Sequence, residues 1–210
     1  MGGILSSLAD NSVFLIEGAI EEFQGPLFSE EESALEHALP KRRREFTAGR
    51  ICAHLALRQA GIPDFPVISR SDRTPVWPCG IAGSISHTHD YCAAAVTRKF
   101  RGIGLDVERI DRFHQELARH VCTEHEKTEL LKSMHPDKFL AVLFCLKEAL
   151  FKAWYPLTGI WLEFNDADIS FDLFSGYAGI IINKSTGYDL KLSGRYVINR
   201  DHAGAIVTAE

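Results

Sequence analysis

Asp106 and Glu108 stand two residues apart in Gly102-Ile103-Gly104-Leu105-Asp106-Val107-Glu108, where apolar Ile103, Leu105 and Val107 alternate with Gly104, Asp106 and Glu108. The alternation predicts a strand from Ile103 to Glu108, on which both carboxylates share one face about 6.5 to 7 Å apart. Acids so placed repel at neutral pH unless solvent, a proton or a cation intervenes. Carboxylate oxygens with open positions for water and phosphate suit Mg2+, with Mn2+ as the alternative, although the pair is also ordinary on a solvated edge strand. A second group is Phe144-Cys145-Leu146-Lys147-Glu148-Ala149-Leu150-Phe151-Lys152-Ala153-Trp154. Glu148 and Lys152 have the spacing of a helix salt bridge; the functional alternative makes Glu148 a third metal carboxylate while Lys147 or Lys152 reaches a phosphate. A third, Gly83-Ser84-Ile85-Ser86-His87-Thr88-His89, ends a strand with hydroxyls and a histidine able to hydrogen-bond phosphate. Zinc at His87, His89 and Cys92 is disfavoured, since no second ligand pair has the usual spacing. Gly102-Ile103-Gly104 lacks the third glycine and following helix of a dinucleotide site.

These residues need elements to hold them. Pro40 suits a first helical turn and Gly61 with Pro63 a stop, so a helix is expected from Pro40 to Ala60, burying Phe46, Gly49, Ala53, Leu57 and Ala60. Arg43, Thr47, Arg50 and His54 fall on another stripe of it, which aims two guanidiniums one way or simply faces solvent. Thr123 and Glu126 form a capping-box pattern opening a helix toward Lys132, and Pro136 opens another to Tyr155, ended by Pro156. Strands are expected at Val13 to Ile20, Ser84 to His87, Tyr91 to Thr97, Trp161 to Phe164, Ile169 to Leu173, Gly179 to Ile182, Tyr188 to Leu192, Tyr196 to Ile198 and Ala205 to Thr208. Strands and long helices thus come in two successive groups without a visible sequence repeat. The acidic run Glu30-Glu31-Glu32 reads as a solvated loop or helix start.

The chain has 210 residues, 46% apolar and 24% charged, the composition of a chain folded throughout. The longest stretch free of Asp, Glu, Lys and Arg, Thr74 to His89, is short and proline-broken, against the ~20 apolar residues of a membrane helix. No Lys or Arg precedes Lys41, and five scattered cysteines form no Cys-x-x-Cys pair, so a cytoplasmic protein with reduced thiols is expected. Met1-Gly2-Gly3-Ile4-Leu5-Ser6 fits the myristoylation pattern, which is too permissive to carry weight. The net charge of -5 conceals eight acidic and no basic residues in the first forty, so an anion site belongs from Lys41 onward. An acidic chain of this kind is not expected to bind nucleic acid.

In their order, Arg43-Arg44-Glu45-Phe46-Thr47-Ala48-Gly49-Arg50, Pro75-Val76-Trp77-Pro78, Gly83 to Thr88, Gly102 to Glu108 and Phe144 to Lys152 resemble the 4'-phosphopantetheinyl transferases, nearest the enterobactin-synthetase-associated branch of the Sfp-type group. The resemblance covers roughly Pro40 to Pro156. It implies an α+β fold of two pseudo-twofold-related α/β halves, each a small, mainly antiparallel sheet on a long helix, here residues 1–108 and 109–210, in one monomer. It implies transfer of 4'-phosphopantetheine from coenzyme A to a serine of an apo acyl, peptidyl or aryl carrier protein, with release of adenosine 3',5'-bisphosphate. Asp106, Glu108 and Glu148 would hold Mg2+, while Arg50, Ser86, His87, Lys147 and Lys152 would contact coenzyme A. The basic position at the helix start falls among Lys41, Arg42 and Arg43, with Arg43 taken; the one ahead of Pro75 falls at Arg73 or Thr74, with Arg73 taken. Glu126, Lys152 and Glu148 are the expected catalytic residues, Glu126 as a base or merely as its helix cap. The rival readings are a Mg2+-dependent phosphohydrolase of coenzyme A or nucleotides, and a non-catalytic coenzyme A or carrier-binding module.

Overall fold

The chain alternates strand and helix in the order β1 (Val13–Ala19), α1 (Ser29–Glu32), α2 (Pro40–Gln59), β2 (Ala82–His87), β3 (Tyr91–Thr97), β4 (Gly102–Arg109), α3 (Ala118–Val121), α4 (Glu124–Lys132) and α5 (Pro136–Thr158). It ends in β5 (Ala167–Phe171), β6 (Tyr177–Ile182), β7 (Leu192–Ile198) and β8 (His202–Ala209). The structure is a computed structural model describing residues 3–210, so Met1 and Gly2 of the myristoylation pattern lie outside the described residues.

Two antiparallel sheets form, one in the order β1-β3-β2 and one in the order β4-β8-β7-β6-β5. β1, α2, β2 and β3 make the first unit, and β4, α5, β7 and β8 repeat its plan, since β4-β8-β7 is the same strand order as β1-β3-β2. The β5–β6 hairpin is an insertion into the second copy. The fold is therefore α+β, two sheet-on-helix units with matching topology. Each unit has its own core: Cys52, Ala53, Ala56 and Leu57 of α2 against Cys92, Ala94 and Val96, and Leu143, Leu146, Leu150 and Trp154 of α5 among the β5 to β8 side chains. A third cluster, with Leu5, Ala93, Ala95, Ile103, Leu105 and Ile206, joins the units.

At that joint β2 lies beside β4 without a ladder, and serine hydroxyls replace it: Leu105 N–H donates to Ser84 Oγ at 3.0 Å and Val107 N–H to Ser86 Oγ at 3.4 Å. Buried backbone donors are thereby satisfied while the sheets remain separate. On the other side, α5 lies directly on the backbone of β4. A Cβ on Gly104 would stand 1.8 Å from the Ala149 carbonyl oxygen, and one on Gly102 2.5 Å from that of Ala153. The period-two pleat puts Gly102, Gly104, Asp106 and Glu108 on one face, so the glycines admit the helix and the acids follow beside it.

Several boundaries differ from the sequence reading. Helix α5 continues past Pro156 to Thr158 and stops at Gly159, in the left-handed region at φ 68°; a proline in the last turn forfeits one hydrogen bond without ending the helix. Trp161 to Phe164 is not a strand, because Trp161 stacks edge-on against Phe151 and Tyr155 of α5 instead of joining the sheet. Tyr188 to Leu192 is not one either; pairing starts at Leu192 and β7 takes in the expected Tyr196 to Ile198. The division expected after Glu108 falls inside β4, all of which ladders with β8 in the second sheet.

Candidate active site

A cleft of about 860 Å3 opens between the two units. Arg42, Phe46 and Arg50 of α2 form one wall, Glu148, Phe151, Lys152 and Tyr155 of α5 another, the Ser69 to Pro75 loop a third, and Ser84 and His87 of β2 the floor. Pro40 starts α2 and its apolar stripe seats it on the first sheet, which leaves Arg42 of the first turn and Arg50 further along over the cleft.

The basic groups are held with unmet capacity for an anion. Arg50 is 7% exposed, donates to Ser69 Oγ at 2.8 Å and stacks over Phe46, with its Nε lacking any partner. It makes no ion pair among the described residues. Burial pulls its pKa down to about 10 and Arg42 adds to that, while Glu31 opposes it. Arg42 Nη1 lies 3.2 Å from His87 Nε2. Arginine only donates, so Nε2 accepts and the ring proton sits on Nδ1, which is buried and without a partner. Burial lowers the His87 pKa, aided by Arg42 and Lys152 against Glu45, so the ring is a neutral donor.

Lys152 bridges the cleft to the buried acid beneath it. Its Nζ donates to Asp106 Oδ1 at 2.8 Å and to the Leu105 carbonyl at 3.1 Å. Burial works against the ammonium, but Asp106 and then Glu148 outweigh it and raise its pKa. Ser86 Oγ donates to the same Asp106 oxygen at 2.7 Å, and Asp106 Oδ2 is buried with no partner. Glu108 is pushed up to about 7 by burial and by Asp106, against Arg112 and Lys152. Burial likewise raises Glu148, with Lys152 opposing and Asp106 adding. An orphaned carboxylate oxygen and two neighbours that resist ionising form a donor set deficient in positive charge, which hard oxygen-ligated Mg2+ suits. Among the described residues no three of His, Cys, Asp and Glu are grouped closely enough to hold a metal unaided.

Of the expected site residues, Arg50, Arg73, His87, Glu148 and Lys152 line the cleft. Asp106 joins it through Lys152, Glu108 follows on the same face of β4, and Ser86 orients Asp106 rather than facing the cleft. Three are outside the main cleft, although Lys147 lines a smaller cavity beside it. Arg43 donates to the Leu35 carbonyl at 2.8 Å, and Arg42 takes the place expected for it. Glu126 and Lys147, 1% and 4% exposed, form an ion pair at 2.6 Å. Glu126 also accepts from the Thr123 amide, completing the capping box, and from the amide of Ile169 on edge strand β5; Lys147 donates to the Val121 and Phe164 carbonyls. The Glu126 carboxylate thus accepts three hydrogen bonds and all three Lys147 protons are donated, which sets Glu126 in the helix cap with Lys147 as its counter-charge, away from the main cleft. Ser69 escaped the sequence reading, and Glu31, read as solvated with Glu30 and Glu32, is buried instead: nothing separates it from its neighbours except a burial no local pattern reports.

Residues 30–97 match the 4'-phosphopantetheinyl transferase N-terminal domain, and residues 102–207 the 4'-phosphopantetheinyl transferase superfamily. Across its whole length the chain is similar to the 4'-phosphopantetheinyl transferase PptT of Mycobacterium tuberculosis, 34% identical and covering 98% of that protein. It is 40% identical to the transferase Npt of Nocardia iowensis over 70% of this chain and 68% of that one. Similarity to the enterobactin synthase component D of Escherichia coli reaches 38% over 57% of this chain and 58% of that one. Among solved structures, the holo-[acyl-carrier-protein] synthase of Thermotoga maritima matches with a TM-score of 0.44 and 29% identity, over 53% of this chain and 64% of that one. The chain belongs to the 4'-phosphopantetheinyl transferase superfamily. Within it the chain is a transferase of the Sfp and enterobactin-synthase type, moving 4'-phosphopantetheine from coenzyme A to apo carrier proteins.

The Glu126–Lys147 pair generates a stability prediction. Lys147→Met leaves a buried carboxylate without counter-charge, at a cost of ~3 to 5 kcal/mol, or a Tm lower by on the order of 10 °C. A calorimetric Tm within a degree of wild type would show that the pair does not brace the fold.

Proposed function

We propose that coenzyme A lies in the cleft with its phosphates between the α2 wall and Lys152, and that the chain catalyses transfer as a monomer. The observation that carries this is Arg50, a buried guanidinium with a free Nε and no carboxylate partner, set across the cleft from Lys152. A guanidinium of this kind matches phosphate, and His87, bonded to Arg42, lines the same end of the cleft. Arg42 and Arg73 add positive charge to the lining, where Glu36, Glu45 and Asp72 also stand. A monomer is supported because both walls come from one chain. A smaller cavity of about 180 Å3, lined by Phe151, Trp161, Leu162 and Phe164, shares Glu148 and Phe151 with the main cleft and would take the pantetheine arm. The five cysteines, all free, support the cytoplasm as its location.

The reaction joins the hydroxyl oxygen of a carrier serine to the phosphorus bearing the pantetheine arm, as the bond from that phosphorus to the leaving adenosine 3',5'-bisphosphate breaks. Positioning and charge neutralisation supply most of the catalysis in such transfers. Lys152 neutralises pyrophosphate oxygens while Asp106 and Leu105 hold its ammonium in place. Asp106, Glu108 and Glu148 are the carboxylates that would hold Mg2+, which when bound offsets charge on the pyrophosphate. Glu148, where the two cavities meet and with its pKa raised by burial, is placed to take the serine proton; Glu126, locked to Lys147, is not.

The test is incubation with coenzyme A, MgCl2 and a panel of apo carriers, weighing the products. Wild type should add one phosphopantetheine, and Glu148→Gln should transfer at least ~10²-fold more slowly with its fold intact. Cleavage of coenzyme A at the same rate without any carrier would make the protein a hydrolase instead. A second expectation follows from Glu108. Its folded pKa of about 7 exceeds the ordinary 4.5, so the metal-free fold retains a proton that the unfolded chain has released, and loses stability as pH rises between those values. Mg2+ should therefore raise Tm more at about pH 8 than at about pH 5, where protons already occupy the site. An equal effect at both, read by differential scanning fluorimetry, would place the cation elsewhere.

A further inference from the structure

Glu31 is the least exposed acid of the acidic first forty residues, at 1%, yet no step of the transfer uses it. Its carboxylate accepts three hydrogen bonds from three parts of the molecule. Oε1 takes His54 Nε2 of α2 at 2.8 Å and the Val67 amide at 2.7 Å, and Oε2 takes the Phe28 amide at 3.2 Å. Each of these is a wall of the phosphate end of the cleft or leads into one. His54 lies one helical turn beyond Arg50 on the same helix. Val67 opens the segment whose Ser69 Oγ receives Arg50 Nη2 at 2.8 Å and which then bridges Pro75, fixing the turn that carries Arg73 into the cleft. Phe28 and Glu31 begin the strap that lays Ser33, Glu36 and His37 along the rim, and Arg43 fastens it from below through Leu35.

From this convergence we infer that Glu31 is a positioning residue for Arg50: one buried carboxylate ties the strap, α2 and the Val67–Ser69 segment together, and so holds the guanidinium aimed at a phosphate of coenzyme A. The inference rests on the proposed placement of coenzyme A. Glu31 does not pair with Arg50, which is what the role requires. A direct ion pair would occupy the guanidinium, whereas a carboxylate at one remove supplies negative charge to a desolvated cation and leaves its Nε free. The same carboxylate opposes the fall in the Arg50 pKa, consistent with that geometry. All three of its partners are donors, so an amide in its place must turn an NH2 toward at least one of them or lose a bond.

A double-mutant cycle on coenzyme A affinity, measured by titration calorimetry, tests this. Arg50→Ala and Glu31→Gln should each weaken binding by about tenfold or more, the scale of one charged hydrogen bond. The double variant should bind no worse than Arg50→Ala, because Glu31 acts through Arg50. Losses that multiply in the double variant, or a folded Glu31→Gln with wild-type affinity, overturn the inference. If Glu31→Gln does not fold, Ser69→Ala takes its place in the cycle, since it cuts the same link at the surface end, and the same outcomes decide. Wild-type affinity in Arg50→Ala would overturn the placement of coenzyme A itself, and the role of Glu31 with it.

Discussion

The seating of α5 on the backbone of β4 is the contact on which the site depends. Helix and strand backbones approach this closely only because positions 102 and 104 have no side chain; a methyl at either would overlap a carbonyl of α5. The approach brings Lys152 within hydrogen-bond reach of a strand carbonyl and of the carboxylate two residues beyond the second glycine. It also turns Glu148, one helical turn earlier, toward the cleft. One strand face therefore carries the admission of the helix and the acids that the helix serves. The serine bonds on the other edge of β4 fix that strand against the first unit without merging the sheets.

Charge is distributed across the joint by opposite devices. On the α5 side Lys152 serves Asp106 and Arg112 pairs with Glu108 at 2.7 Å, while Glu148 has no ion pair among the described residues and Asp106 Oδ2 is left bare. On the α2 side two guanidiniums, Glu45 and a neutral histidine face the cleft, with no carboxylate bonded to Arg50. Each arrangement is costly in isolation, since desolvated charge is tolerated only when compensated. On the proposed reading, a ligand bearing both negative phosphates and a divalent cation would compensate the two sides together. The topological duplication, β4-α5-β7-β8 repeating β1-α2-β2-β3, is what sets two long helices on opposite walls of the cleft.

Elements governed by local rules were legible in the chain. Pro40, the Thr123 capping box and the alternation from Ile103 to Glu108 each predict what forms, because caps, first-turn prolines and pleat parity act within a few residues. The cleft residues Arg50, His87, Glu148 and Lys152 were legible through their order in the family pattern. What escaped depends on partners distant in sequence. Arg43 and Arg42 are adjacent on one helix, and only the position of Leu35 decides which is spent on structure. Glu126 reads equally as cap and base until Lys147, Ile169 and Phe164 are seen around it. Trp161 has strand chemistry and is drawn onto α5 by Phe151 and Tyr155 instead.

The most direct measurement is a crystal structure of the protein with coenzyme A and Mg2+. It should show pyrophosphate oxygens on Lys152, the metal on the Asp106 oxygen that now lacks a partner, together with Glu108 and Glu148, and α5 still seated on Gly102 and Gly104. Pyrophosphate bound away from Lys152, or a metal on carboxylates other than these, would contradict the account.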